Sequence, residues 1–388
     1  MPDLIYLDHN ATTQPADEVV EAMTQAVREA WHNPSSGYRP AQRARQLVDL
    51  AREAVGELLG CRDRDVLFTS GGTESDTLAL RGALAARPGR TVIVTARTEH
   101  SAVRDTAETL AEEGVEVVWL PLDERGLIRL DSLDELLAAR ADAIALVSVM
   151  WANNETGIIQ PIEEIGRRCR ERDVWLHTDA VQWVGKMPTD LRTLPIDLLS
   201  FSAHKFHGPK GAGGLFVRPG VRLIPQQIGA QERRRRGGTE NVPGILGLGA
   251  AARLANTWLA TDGRVRQEAL RDDFERRLCA AVPEAVVNSG AAPRMWNTAN
   301  VGFRRMEGEA VLLLLSERGL CVSAGAACSS GSLEPSPVLL AMGVPPDVAH
   351  GSVRFSLARD TTPAEIDTAL ERIPAAIDRL RGSMSALG

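Results

Sequence analysis

Lysine is almost missing from this chain. Of its 44 lysines and arginines, only Lys186, Lys205 and Lys210 are lysines, so chemistry that needs a primary amine has three candidates. Long apolar runs are missing too. The longest strongly apolar one, from Ala310 to Leu315, falls far short of the ~20 residues a membrane helix needs. Met1-Pro2-Asp3-Leu4 shows no basic start before an apolar stretch, so no secretory leader is expected. The five cysteines (61, 169, 279, 321 and 328) show no paired spacing and no Cys-x-x-Cys; reduced thiols in a cytoplasmic protein are the expectation. A net charge of −7 leaves no basic footprint for nucleic acid. The run Arg233–Arg236 is expected near a subunit contact rather than on nucleic acid. Low-complexity tracts and internal repeats are lacking, which leaves a folded soluble protein.

Short apolar runs alternate with helical patterns from about residue 66 to 218. The predicted strands are Val66–Thr69, Thr91–Thr95, Val115–Leu120, Ile144–Met150, Val174–Thr178, Leu198–Ser202 and Gly214–Val217, with helices between several of them, such as Ile162–Arg172. Seven strands so spaced predict an α/β fold, a mostly parallel sheet covered by helices. One long helical pattern is expected from Ile245 to Val282. Strands near Thr298–Phe303 and Val353–Leu357 and a closing helix Pro363–Arg381 read as a smaller α+β domain. The expected division is residues 15–258 for the large domain, and 1–14 with 259–388 for the small one.

In such sheets, sites gather at the carboxyl ends of strands. After the first predicted strand comes Ser70-Gly71-Gly72-Thr73-Glu74-Ser75 and then a helix. Glycines and the N–H groups of a helix start can seat a phosphate, although such a turn is more often only a turn. Asp179 follows Val174–Thr178; it suits a protonated ring nitrogen, or a helix cap. His177 is expected on the opposite sheet face from Asp179, in a structural role. Leu198–Ser202 leads into Ala203-His204-Lys205. There an amine can bond an aldehyde cofactor while Ser202 and His204 donate to its phosphate, the alternative being a surface lysine beside a loop histidine.

Together, Ser202-Ala203-His204-Lys205, Asp179-Ala180-Val181-Gln182 and Gly71-Gly72-Thr73-Glu74-Ser75 resemble class V, fold-type I pyridoxal-phosphate enzymes. Further blocks resemble the cysteine desulfurases of the NifS/IscS branch: Leu7-Asp8-His9-Asn10-Ala11-Thr12-Thr13, Thr98-Glu99-His100, Trp151-Ala152-Asn153-Asn154-Glu155-Thr156-Gly157, Gly238-Thr239-Glu240-Asn241, Ala327-Cys328-Ser329-Ser330-Gly331 and Arg354-Phe355-Ser356-Leu357. The blocks run in order from residue 6 to about 380. The resemblance implies sulfur removal from L-cysteine, giving L-alanine and a persulfide on Cys328. Pyridoxal 5'-phosphate would be bonded by Lys205, its ring nitrogen paired by Asp179 and its phenolic oxygen contacted by Gln182. Gly72, Thr73, Ser202 and His204 would seat its phosphate. Thr239 would reach the phosphate held by a second copy, hence a homodimer. His100 would stack on the ring and exchange protons, and Asn154 and Arg354 would orient the substrate. No metal of the protein's own is implied, beyond transient ligation of an iron–sulfur cluster by Cys328.

Among the cysteines, Cys328 sits in a run of Ala, Gly and Ser with Pro335 and Pro337 beyond, a composition expected of a mobile loop. Cys169 and Cys279 fall inside helical patterns, Cys61 follows a helix end, and Cys321 lies in an apolar stretch; these read as packing residues. Sulfur would pass to an acceptor protein such as an iron–sulfur scaffold. The alternatives are a selenocysteine lyase or other class V enzyme, and a non-catalytic sulfur-carrier subunit. The carrier subunit is expected to lose the lysine or the loop thiol, and both are present.

Overall fold

The computed structural model describes residues 4–324 and 334–385. After a short strand β1 (Ile5–Tyr6), seven strands build the main sheet: β2 (Val66–Thr69), β3 (Val92–Ala96), β4 (Glu116–Leu120), β5 (Ile144–Ser148), β6 (Trp175–Asp179), β7 (Leu198–Ser202) and β8 (Gly213–Val217). Their spatial order is β2-β8-β7-β6-β5-β3-β4. Only β8 runs against the others, between β2 and β7. The carboxyl ends of β2, β3, β5, β6 and β7 therefore open on one edge.

Alternate residues along each strand feed two cores. Leu67, Ile93, Leu146, Leu198 and Leu215 pack with residues of helices Gly72–Ala86 and Ser101–Glu112. Their neighbours Phe68, Val94, Val147, Leu199 and Phe216 join the larger cluster with helices Arg39–Leu59 and Val242–Leu259. This alternation also corrects one expectation. His177 lies on the same face as Asp179, because residues two apart along a strand share a face. Its Nε2 is 3.5 Å from Asp76 Oδ1, on helix Gly72–Ala86, and its ring nitrogens bond Ser148 and Ser200.

The remaining strands are β9 (Ala285–Val287), β10 (Thr298–Phe303), β11 (Leu320–Cys321), β12 (Ser323–Ala324) and β13 (Ser352–Ser356). Four of them form an antiparallel sheet, β12-β13-β10-β9, while β1 pairs in parallel with β11. A separate apolar cluster forms here. Ile5 and Leu7 pack in it with Phe274, Phe303, Phe355 and Ile373. The single long helix expected from Ile245 to Val282 is instead two, Val242–Leu259 and Gly263–Ala281. Thr261 makes the break: its hydroxyl donates to the Trp258 carbonyl at 2.7 Å and accepts from Gly263 N at 3.1 Å, local bonds that compete with the helix ladder. None of the described helices is long and apolar enough to cross a membrane.

Candidate active site

At the open edge, Asp179 closes β6, Ser202 closes β7, and a 3-10 turn over Ala203–Lys205 lifts His204 and Lys205. A cavity of about 200 Å³ forms there. Gly72, Thr73, His100, Asn154, Asp179, Gln182, Ser202, His204 and Lys205 all line it, drawn together from positions 72 to 205. Two expected site residues are not among its described lining, and a third lies outside the described residues. Arg354 lies on β13 behind Asn154, Thr239 is exposed ahead of helix Val242–Leu259, and Cys328 lies outside the described residues. The segment bearing Cys328 leaves the described structure after Ala324, whose strand pairs beside Arg354. It is tied again at Ser336, which donates to Glu155 Oε2 at 2.5 Å.

Local chemistry sets each side chain. Lys205 Nζ donates to the Asn10 and Ala11 carbonyls at 2.7 and 2.9 Å. His204 Nδ1 lies 3.1 Å from Thr12 Oγ1, and burial with nearby Lys205, Lys210 and Lys186 pushes its pKa down to about 4; at neutral pH it is an uncharged imidazole. His100 caps helix Ser101–Glu112, its Nδ1 accepting from Ala102 N at 3.1 Å. The exchangeable proton of its neutral form is therefore on Nε2. Asp179 Oδ1 accepts from Val181 N at 2.9 Å. Gly72 is required by close approach, since a Cβ there would stand 2.7 Å from Val181 Cγ2. Asn154 Oδ1 is buried without a hydrogen-bond partner among the described residues. Arg354, only 2% exposed, donates to the Asn154 carbonyl at 2.9 Å and to Asp8 Oδ1 at 2.7 Å.

Several groups around the cavity were not singled out from the sequence. Asn10 is a hub. Its carbonyl accepts from Lys205 and Gln182, its Oδ1 from Lys186 and Asn297, and its Nδ2 donates to Thr298 Oγ1. Asp76 and Glu99 are buried carboxyls whose pKa values burial lifts well above the usual range, as it lifts that of Asp179. Glu99 Oε1 accepts from Met150 N at 2.8 Å. A sequence signal did exist for three of these: Asn10 and Glu99 sit inside the quoted blocks, and Lys186 is one of three lysines. What the sequence did not show was that they would be buried together.

The four described cysteines are poor nucleophiles. Burial pushes the Cys61 and Cys169 thiols up to about 12 and raises those of Cys279 and Cys321. Each is held further from the thiolate form that sulfur chemistry needs. The arginine run is tied to its own chain: Arg233 and Arg235 donate to the Arg64 carbonyl, and Arg236 pairs with Glu74.

The cavity fits a phosphorylated aldehyde ring. Lys205 supplies the amine. A buried carboxylate whose charge burial disfavours, Asp179, suits a protonated ring nitrogen. The amino terminus of the 15-residue helix Gly72–Ala86, with Thr73, Ser202 and His204, suits a phosphate. Comparison with known proteins agrees. The model of the family described as aminotransferase class-V matches residues 5–369. A cysteine desulfurase of Trichormus azollae is 48% identical, over 97% of this chain and 94% of that one. The cysteine desulfurase NifS of Azotobacter vinelandii is 46% identical over 97% and 93%. A solved NifS-like protein superposes with a TM-score of 0.89 at 36% identity, covering 97% of this chain and all of its own.

Proposed function

The chain belongs to the class-V aminotransferase family and is a pyridoxal-phosphate-dependent cysteine desulfurase; from that premise we propose how its residues divide the work. The observation that carries the assignment is Lys205 in the lining of the same cavity as Asp179, Gln182, Ser202 and His204.

When bound, pyridoxal phosphate supplies an aldehyde for amine exchange and a ring that withdraws electrons from the substrate's α-carbon. Lys205 would hold it through its amine and, once free, would move the proton at the substrate's Cα. Asp179 keeps the ring nitrogen protonated, and Gln182 donates to the phenolic oxygen. Thr73, Ser202, His204 and the N–H groups at Gly72 hold the phosphate. His100, in the lining of the same cavity, would pack on the ring and exchange a proton at Nε2. The Asn154 carboxamide would orient the substrate carboxylate, joined by the Arg354 guanidinium once it exchanges its bond to Asp8 for one to the substrate, a fork well matched to two oxygens.

Cys328 carries the sulfur. Its thiolate bonds to the substrate sulfur as the carbon–sulfur bond breaks, and the electron pair and a proton end on the β-carbon. L-cysteine and the enzyme thiol thus become L-alanine and an enzyme persulfide. We further propose that the enzyme works as a cytoplasmic homodimer, with Thr239 completing the phosphate seat of a second copy. The persulfide passes to a sulfur-acceptor protein such as an iron–sulfur scaffold. The test is to purify the protein, record its visible absorption, and measure alanine and sulfide formed from cysteine. Wild type is expected to be yellow and to form both; Lys205→Ala to lose the colour and turnover; and Cys328→Ala to keep the colour and release no sulfide. Turnover by Cys328→Ala would defeat the sulfur-carrier assignment.

A further inference from the structure

Lys186 has no part in the scheme above, yet it is buried directly behind the cavity at 5% exposure. Its Nζ donates to Gln182 Oε1 at 2.7 Å and to Asn10 Oδ1 at 3.1 Å. No carboxylate among the described residues pairs with it. Burial, with Lys205 and Arg354 nearby, holds its pKa well below the usual lysine range. Both oxygens that accept from it belong to uncharged carboxamides.

That geometry decides which way the Gln182 carboxamide points. Amide oxygen and nitrogen are told apart by what surrounds them. The Asn10 carbonyl can only accept, so the Gln182 atom 2.9 Å from it is Nε2, and Oε1 is the atom to which Lys186 Nζ donates at 2.7 Å. Nε2 has two N–H groups, and Asn10 takes one. The second is left for a ligand in the cavity that Gln182 lines.

We propose that Lys186 is a positioning residue: by holding Gln182 Oε1, it makes Gln182 an N–H donor toward the phenolic oxygen of the cofactor. This rests on the roles given above to Lys205 and Gln182. A donor at that oxygen favours its anionic form and so lowers the pH at which the lysine-bound cofactor loses its proton. Without Lys186, Gln182 Oε1 is left buried and loses its donor, the carboxamide is no longer held, and the midpoint rises. Other groups act on the same region: Lys205, His204, His207 and His9 surround Lys186, Arg354 stands beyond Asn10, and Asp179 and His100 face Lys205 across the cavity. All of them remain when Lys186 alone is changed.

The test is a pH titration of the visible band in cofactor-loaded wild type, Lys186→Met, Gln182→Leu and the double variant. Lys186→Met is expected to raise the midpoint by ~0.5–1 pH unit and to cause no shift in the Gln182→Leu background. An unchanged midpoint, or the same shift in both backgrounds, overturns the proposal. Should Lys186→Met not fold, the milder Lys186→Gln carries the same cycle, with a smaller upward shift that also vanishes beside Gln182→Leu. A wild-type protein with no visible band dependent on Lys205 would instead refute the reading beneath.

Discussion

Glu155 offers a test of the site's electrostatics that does not depend on turnover. Only 6% exposed, it accepts from Ser336 Oγ at 2.5 Å. Burial pushes its pKa from 4.5 up to about 7, although Ser336, Arg354, Arg104 and His100 all favour the charged form. The folded chain therefore holds a proton here that the unfolded chain has released. The contribution to stability is fully present below pH 4.5 and is lost as pH rises through about 7. A shift of this size corresponds to about 3 kcal/mol over the window. Glu155→Gln keeps an acceptor for Ser336 and removes the titration. Relative to wild type, the variant should gain about 3 kcal/mol between ~pH 4.5 and ~pH 8, read from urea midpoints of the cofactor-saturated proteins. A difference flat across that range, or one that moves in favour of wild type as pH rises, would refute the reasoning.

Two further outcomes test the framework and the ring contact. Arg52 and Glu232 form a buried pair at 2.7 and 2.8 Å, and Glu232 also accepts from Phe68 N; Arg52→Met should cost about 3–5 kcal/mol by stranding a buried charge. Adding Glu232→Gln, which removes that charge and keeps the Phe68 acceptor, should recover most of the loss in the same urea titration. Asp179→Asn removes the carboxylate proposed to pair with the ring nitrogen and should lower kcat by about 10²–10³-fold with the fold intact, checked by alanine formation and circular dichroism.

The main sheet was legible because its strands are short apolar runs separated by helices and turn residues; Val66–Thr69 and Leu198–Ser202 were read to the residue. The helix break at Thr261 had a trace in the turn residues Thr261-Asp262-Gly263, which the helical patterns on either side outweighed. The face of His177 was misjudged although the period of a strand settles it. Lys205, Asp179 and Ser202 were legible from their places at strand ends, where side chains meet a common edge. Asp76 was not, and of Lys186 and Asn10 the sequence showed the residue but not its burial at the site. Their roles depend on burial and on partners up to 288 positions away, which no local pattern encodes.

The distribution of charge explains why such a costly cluster persists. Asp76, Glu99 and Asp179 are carboxyls held toward their neutral forms, while Lys186, on the other side of Gln182, is an amine held toward its own. Each departure records an interaction that burial has removed and the described side chains do not fully replace. An occupant cationic at its ring nitrogen and anionic at its phosphate restores part of what Asp179 and the amino terminus of helix Gly72–Ala86 lack. Binding to the folded state alone must then raise stability with ligand concentration, and it must draw Asp179 toward its charged form. Removing Asp179 should therefore weaken the stabilisation by cofactor more than it weakens the fold without it.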